Sequence, residues 1–284
     1  MGHFWILLRD SIYSFLEDEA LTRGAAIAFY TVTSIGPVLF IVVAIAGLAF
    51  GEDAARGAVS EQLSGLMGTD TAELVQKAVQ SASGTSTGII ASIIGAITLI
   101  VTASGVFGEM QSALNAIWKA EPHGSTISRL VRARAASLGL VAALGFLLLV
   151  SLVISALLSA PANYINARLP FGAFALQLLH FVISFVLISV LFAAIYKVLP
   201  DAKLSWRDVL IGAVVTALLF NLGKFLIGLY LAHSALASSY GAAGALIVVL
   251  LWIYYSAQIF LLGAEFTKIH ASHRGTPAAV RALA

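Results

Sequence analysis

No cysteine occurs among the 284 residues. That excludes a disulfide, a thiolate metal site and a cysteine nucleophile, and leaves the redox compartment open. Charge is scarce: only 11% of residues are Asp, Glu, Lys or Arg, against about a quarter in soluble domains. A net charge of +2 is too small for a nucleic-acid binder, and most Lys and Arg lie beside apolar runs. The six histidines (His3, His123, His180, His233, His270 and His273) are scattered, and only the last two are close in sequence. No His-x-His, HExxH, Walker or Gly-x-Ser-x-Gly pattern is present. A metal-dependent nuclease needs clustered His and carboxylate ligands, so no metal, no cofactor and no nucleic-acid partner is expected.

What the chain has instead is apolar length. Six runs at 26–50, 89–108, 136–160, 174–196, 209–231 and 243–264 are separated by short polar stretches. Hydrocarbon cannot satisfy a backbone, so each run must be a helix or part of a closed barrel. A helix needs about 20 apolar residues to cross, and barrel strands of alternating polarity are not seen. The expected fold is therefore all-α: a polytopic membrane protein of six transmembrane helices. One membrane domain over 1–271 takes up the chain, with 272–284 as a disordered cytoplasmic tail.

Lys and Arg favour the cytoplasmic side. Arg9, Arg23, Lys119, Arg129, Arg132, Arg134, Lys197, Lys203, Arg207, Lys268, Arg274 and Arg281 fall on one side; Arg56, Lys77 and Arg168 fall on the other. Both termini are accordingly expected in the cytoplasm, with the protein in a bacterial inner membrane. Residues 4–19 mix charges into an apolar pattern and carry no cleavage site, so they do not read as a signal peptide. Phe4, Trp5, Leu8, Ile12, Phe15 and Leu16 recur at helical spacing. They predict an amphipathic helix at the inner interface, or one packed on the inner face of the bundle. The external segment 51–88 is too long for a plain connection; short helices are expected there, with Asp70 and Glu73 as a capping box. Residues 232–242 predict a tight turn or a shallow re-entrant piece. Pro37 should kink the first span and is a candidate hinge. Ser151, Ser155 and Ser159, and Gly212 with Thr216, form small-residue stripes suited to helix packing. Trp118, Trp206 and Tyr230 read as interface anchors. Trp252, Tyr254 and Tyr255 lie nearer mid-membrane, where at least one polar tip should face inward.

Several stretches carry a family resemblance. They are Ala28-Phe29-Tyr30 with Ser34-Ile35-Gly36-Pro37, Ala113-Leu114-Asn115-Ala116-Ile117-Trp118, and Tyr196-Lys197-Val198-Leu199-Pro200-Asp201. Further stretches are Leu219 to Tyr230 around Asn221 and Lys224, Tyr240-Gly241, Leu251-Trp252-Ile253-Tyr254 and Leu261-Leu262-Gly263-Ala264-Glu265. The chain resembles the YihY/BrkB family of bacterial inner-membrane proteins, which also carries an old "ribonuclease BN" label. The resemblance implies six helices in the inner membrane and no settled substrate or mechanism.

Lys224 is the one charged side chain within the six runs. A charge there costs at least about 2.5–3.5 kcal/mol, so it should face the interior, water or a counter-charge. Lys224, His180, Ser184 and Asn221 are candidate substrate-binding residues in an outward-facing polar pocket for an anionic group. The bland alternative is a lysine snorkelling to the external interface. Arg23, Glu109, Glu265 and Gln258 form a second candidate cluster on the cytoplasmic side, either an inner gate or a structural ion pair. The functional reading is a transporter or exporter of an anionic or amphipathic small molecule, lipid-linked in one version, and not an enzyme. A non-transporting envelope-integrity protein is the alternative. A membrane-embedded lipid-modifying enzyme would have only Glu109, Glu265 and Arg23 to use. Membrane lipids are the expected partners, and homo-oligomerisation is left open.

Overall fold

The computed structural model describes residues 2–67, 72–73, 76–77, 105–120, 139, 172–233 and 236–283. Among these residues the regular structure is entirely helical: α1 (Gly2–Glu17), α2 (Ala20–Phe50), α3 (Glu52–Met67), α4 (105–117), α5 (Gly172–Val198), α6 (Trp206–His233), α7 (Leu236–His273) and α8 (Pro277–Leu283). Three stretches, Phe181–Val198, Trp206–Ile227 and Leu246–His273, are long and apolar enough to cross a membrane. A fourth is α2, if Ala20–Gly36 and Val38–Leu48 form one span bent by 50°. That bend falls at Pro37, where a backbone donor is missing. The predicted spans at 89–108 and 136–160, and the Ser151, Ser155 and Ser159 stripe, lie outside the described residues but for 105–108 and residue 139.

The outer surface is apolar. Phe181, Val182, Val186 and Val190 on α5, and Leu218, Leu222, Phe225 and Leu229 on α6, are all exposed. Water does not tolerate an apolar face of that extent, and lipid does. The chain is a helical membrane protein.

Helices α5, α6 and α7 form an antiparallel core. Phe192 meets Phe220 with ring centroids 5.8 Å apart, and Tyr196 meets Thr216 at 3.1 Å, so α5 and α6 keep one register over a turn. Between α6 and α7 the contact is a reciprocal clasp. A Cβ on Gly212 would collide with Thr267, and a Cβ on Gly263 would collide with Thr216. Each threonine donates to the carbonyl four residues back on its own helix, Thr216 to Gly212 and Thr267 to Gly263, both at 2.7 Å. Each hydroxyl is thus satisfied while its side chain fills the space over the other helix's glycine, which brings the backbones close. Tyr196 closes the clasp from α5 by donating to the Phe260 carbonyl at 2.6 Å.

Helix α1 packs against α7 through Leu7, beside Phe266 and Ile269. Its buried side is Leu7, Ser11 and Ser14, whereas Trp5, Ile12, Tyr13 and Leu16 point outward. Of the predicted apolar face Trp5, Ile12 and Leu16 turn away from the protein, whereas Leu8 is half-buried and Phe15 packs on the main core, and a small, partly polar face packs on α7. Helix α3 returns alongside the C-terminal half of α2, with Ala55 and Val59 against Val43 and Ala46. It accounts for the first part of the 51–88 segment. Asp70 of the predicted capping box lies outside the described residues; Glu73 pairs with Lys77 at 2.7 Å on the surface.

Three expectations differ from the structure. The tail assigned as disordered from Ser272 carries helix: α7 runs to His273, and α8 buries Ala279 in the main core and Ala282 beside it in sequence. Thr276 donates to Asp208 at 2.7 Å, and Arg274 lies 3.5 Å from the same carboxylate, which ties α8 to the start of α6. Trp118, read as an interface anchor, is 3% exposed and belongs to the core. Trp206 does sit at the surface, under the Lys197 ammonium 5.5 Å from its ring centroid. The Tyr230 side chain lies outside the described residues. Helix resumes at Leu236, so residues 236–242 are helical and not re-entrant loop.

Candidate functional site

Lys224 stands on α6 in line with Ala213, Ala217 and Phe220, at spacings of eleven, seven and four residues. Ala213 and Ala217 are fully buried, and Phe220 packs against the core. Leu222, Phe225 and Leu226, the lipid-facing neighbours, are exposed on the other side of the helix. Residues at i, i+4, i+7 and i+11 share one face. Lys224 is therefore on the inward stripe of α6, not on its lipid face.

It lines a narrow crevice between α6 and α7 with Phe220, Ile227, Trp252, Tyr255, Ser256 and Ile259. The crevice has no room for a water molecule. Gly223 makes it possible: a Cβ there would meet Ile259 Cδ1 at 2.5 Å and the Tyr255 hydroxyl at 2.7 Å. Among the described residues the Lys224 ammonium has no hydrogen bond and no ion pair. Trp252 Nε1 is buried without a partner. Ser256 Oγ donates to the Trp252 carbonyl at 2.9 Å. Tyr254, by contrast, packs towards α2 beside Ala28 and Val249.

The other residues predicted for this site are arranged differently. Asn221 Nδ2 donates to the Ala217 carbonyl at 2.8 Å, on its own helix. In the register fixed by Phe192–Phe220 and Tyr196–Thr216, Lys224 is level with Ile188. Ser184 then lies about 6 Å and His180 about 12 Å further along the antiparallel helix at 1.5 Å per residue. Ser184 does not line the crevice. The backbone of His180 is in α5; its side chain lies outside the described residues. The equal depth expected for Lys224 and His180 came from centring each run on its own midpoint, which ignored the stagger of the helices.

The second predicted cluster also has different members. Lys268, 1% exposed, lies 2.5 Å from Asp18 and 2.8 Å from Glu265, which is wholly buried. Glu265 is within ion-pair distance, but neither of its oxygens receives an aligned hydrogen bond. Arg23 Nε donates to the Asp18 carbonyl at 3.0 Å, and Gln258 Nε2 to that of Leu21 at 3.3 Å. Three of the four predicted residues thus converge on the α1–α2 junction, with Lys268 at their centre. The junction includes Glu19 in a left-handed conformation, φ 54°. Among the described residues Glu109 has no part in it. The i, i+3 spacing of Glu265 and Lys268 was the available signal for the missed lysine.

Next to this cluster, two of the recognised sequence stretches interlock. Asn115 Nδ2 donates to Asp201 Oδ2 at 2.9 Å, and the Asp201 amide donates to Asn115 Oδ1 at 2.8 Å. Leu114, Ile117, Tyr196 and Leu199 are buried around the pair. Lys197 Nζ donates to the Leu204 carbonyl and fixes the turn into α6.

The family model described as "Virulence factor BrkB" matches residues 11–282. The chain belongs to the BrkB family. Its curated relatives carry the name UPF0761 membrane protein. One from Psychrobacter sp. (strain PRwf-1) is 28% identical over 276 residues, covering 93% of this chain and 48% of that protein. One from Mannheimia succiniciproducens is 28% identical over 269 residues, covering 93% of this chain and 89% of the relative. A third, from Pasteurella multocida, is 35% identical over 184 residues, which is 64% of this chain and 55% of the relative. The chain thus spans about half of the Psychrobacter protein and most of the Mannheimia one. No solved structure matches.

Proposed function

We propose that this BrkB-family protein is a six-span inner-membrane transporter of an anionic or amphipathic small molecule, with both termini in the cytoplasm and Lys224 at the substrate site. The observation that carries the reading is the position of Lys224: on the inward stripe of α6, with no counter-charge among the described residues. An intramembrane ammonium in that setting marks a pathway or ligand site by default. The helices around it are apolar, which suits a substrate with an apolar body. Glu265 is fully buried beside Lys268 and faces no membrane surface, which argues against its use in lipid-modifying catalysis. Proteoliposomes loaded with a panel of organic anions, with neutral amphiphiles as controls, test the reading. Release of at least one amphipathic anion is expected, reduced about tenfold or more by Lys224→Gln, as for loss of a charge-assisted hydrogen bond. Equal release from wild-type, Lys224→Gln and protein-free vesicles across the panel would overturn it.

A second reading is a non-transporting envelope-integrity protein. The tightness of the crevice favours it, since the described helices enclose no water-sized path at Lys224. A null transport panel combined with membrane fragility on deletion would support that reading.

A further inference from the structure

The crevice has a one-sided chemistry. Among the described residues its polar side chains are the Lys224 ammonium, the Trp252 indole N–H, the Tyr255 phenol and the Ser256 hydroxyl, with no carboxylate. Ammonium and indole can only donate. Ser256 has spent its proton on the Trp252 carbonyl. Trp252 Nε1 is buried and unpartnered, and a buried donor left unsatisfied is unfavourable. The Tyr255 hydroxyl lies against Gly223, the residue next to Lys224. Two or three unspent donors, one of them a full cation, therefore meet within a turn of each helix, flanked by Phe220, Ile227 and Ile259.

We propose that this crevice is an anion site: Lys224, the Trp252 N–H and the Tyr255 hydroxyl together hold one carboxylate or phosphate group, and the apolar flank holds the hydrocarbon or aromatic body that bears it. An anion supplies the charged acceptor that the described lining lacks, and it neutralises Lys224 without a permanent acidic partner. A resident Asp or Glu would pair with the lysine and close the site to ligands. Entry requires movement, because the crevice holds no water as it stands. Trp252 is the side chain that can move: its ring meets Phe220 edge-on at 6.3 Å and its N–H makes no bond, so swinging it outward breaks no hydrogen bond. The proposal shares its site with the transport reading but concerns binding alone.

The test uses the full chain in neutral phosphatidylcholine nanodiscs. The probes are phosphatidic acid and inorganic phosphate, with retained lipid read by native mass spectrometry and stabilisation by thermal unfolding. Wild-type protein should retain phosphatidic acid over phosphatidylcholine. Lys224→Gln should weaken that retention about tenfold or more, and Trp252→Phe, which keeps the ring and removes the donor, should weaken it by several-fold. Trp206→Phe, at the far surface, should leave it unchanged. Stabilisation by inorganic phosphate as well would identify a free anion as sufficient; response to the lipid alone would identify a headgroup. If Trp252→Phe does not fold, Tyr255→Phe takes its place. Retention of phosphatidic acid by folded Lys224→Gln at the wild-type level, or no preference for either anion in the wild type, would overturn the proposal. Anion retention lost in Lys224→Gln with release from vesicles unaffected would sink the transport reading alone. Release lost with retention intact would sink the anion-site proposal alone.

Discussion

The Gly212–Thr267 contact allows a quantitative test of how α6 and α7 are held together. Gly212→Ala places a methyl where Thr267 Oγ1 and Cγ2 now sit. Overpacking of this kind costs about 1–3 kcal/mol. Alanine's helix propensity returns up to about 1 kcal/mol of that, leaving a net loss of roughly 1–2 kcal/mol. Thr267→Ala removes the hydroxyl and the γ-methyl. Its hydroxyl bonds only the Gly263 carbonyl on its own helix, so this change should cost about 1 kcal/mol in lost packing. In the double variant the clash is largely gone, because the remaining Thr267 Cβ stands 2.8 Å from the new methyl and a shift of under about 1 Å relieves it. The pair should therefore be less destabilised than the sum of its parts, by about 1–2 kcal/mol of coupling. The cycle is measured by unfolding in mixed micelles, following helicity as denaturing detergent rises. Gly57→Ala is the control, since a Cβ there meets nothing within 4 Å; it should be neutral or slightly stabilising. Additivity within about 0.5 kcal/mol would mean that α6 and α7 do not meet at these residues, and the register of the whole core would fall with it.

Other perturbations address the end of the bundle that holds the α1–α2 junction. Lys268→Met leaves Asp18 and the buried Glu265 without their shared cation and should cost about 3–5 kcal/mol; adding Glu265→Gln should recover part of it, and no recovery would show that Lys268 serves packing alone. Asn115→Ala unpairs both the side chain and the backbone amide of Asp201, with an expected loss of about 1–3 kcal/mol; an unchanged unfolding midpoint would argue that α4 does not dock on the 199–202 turn. For α1, spin labels at Trp5, Ile12 and Leu16 should report lipid contact and a label at Asp10 should report water. Labels at all four positions that meet only water would place this helix off the bilayer.

Membrane character, helical class and the isolated lysine were legible because each rests on composition along a single helix. The relations between helices were not. Sequence periodicity marks which face of a helix is small or apolar, but not which neighbour it meets or at what stagger. Lys224 stands out in the sequence as the isolated charge within an apolar run, but its crevice neighbours come from α7 (Trp252, Tyr255, Ser256) and not from α5 as expected. Stagger set by Tyr196–Thr216 moved His180 away from its predicted level. Lys268 was counted only as a cytoplasmic charge, because its partner Asp18 is 250 residues distant. In α1 the apolar periodicity was real, but in a lipid-surrounded protein the most apolar face need not be the buried one. Leu7, Ser11 and Ser14 pack while Trp5 and Leu16 face out, because lipid removes the hydrophobic incentive for helices to associate and leaves close packing to decide.

That same solvent logic separates the two polar layers of the molecule. At the end of the bundle that holds the α1–α2 junction, Asp18 and Glu265 share the Lys268 cation, although the Glu265 oxygens receive no aligned hydrogen bond, Asn115 pairs with Asp201, and Thr276 donates to Asp208. Such matching is what a low-dielectric surrounding demands of groups whose role is to hold helices. At Lys224 the matching stops: a cation and a buried indole N–H share a crevice with no acidic residue among its lining. Had the layer served only to hold α6 against α7, an apolar residue would have done so at lower cost, as Ala217 and Ala213 do about two and three turns away. The unmatched donors are therefore the part of the chain that packing does not explain, and an anion from outside the protein is the simplest chemistry that completes them.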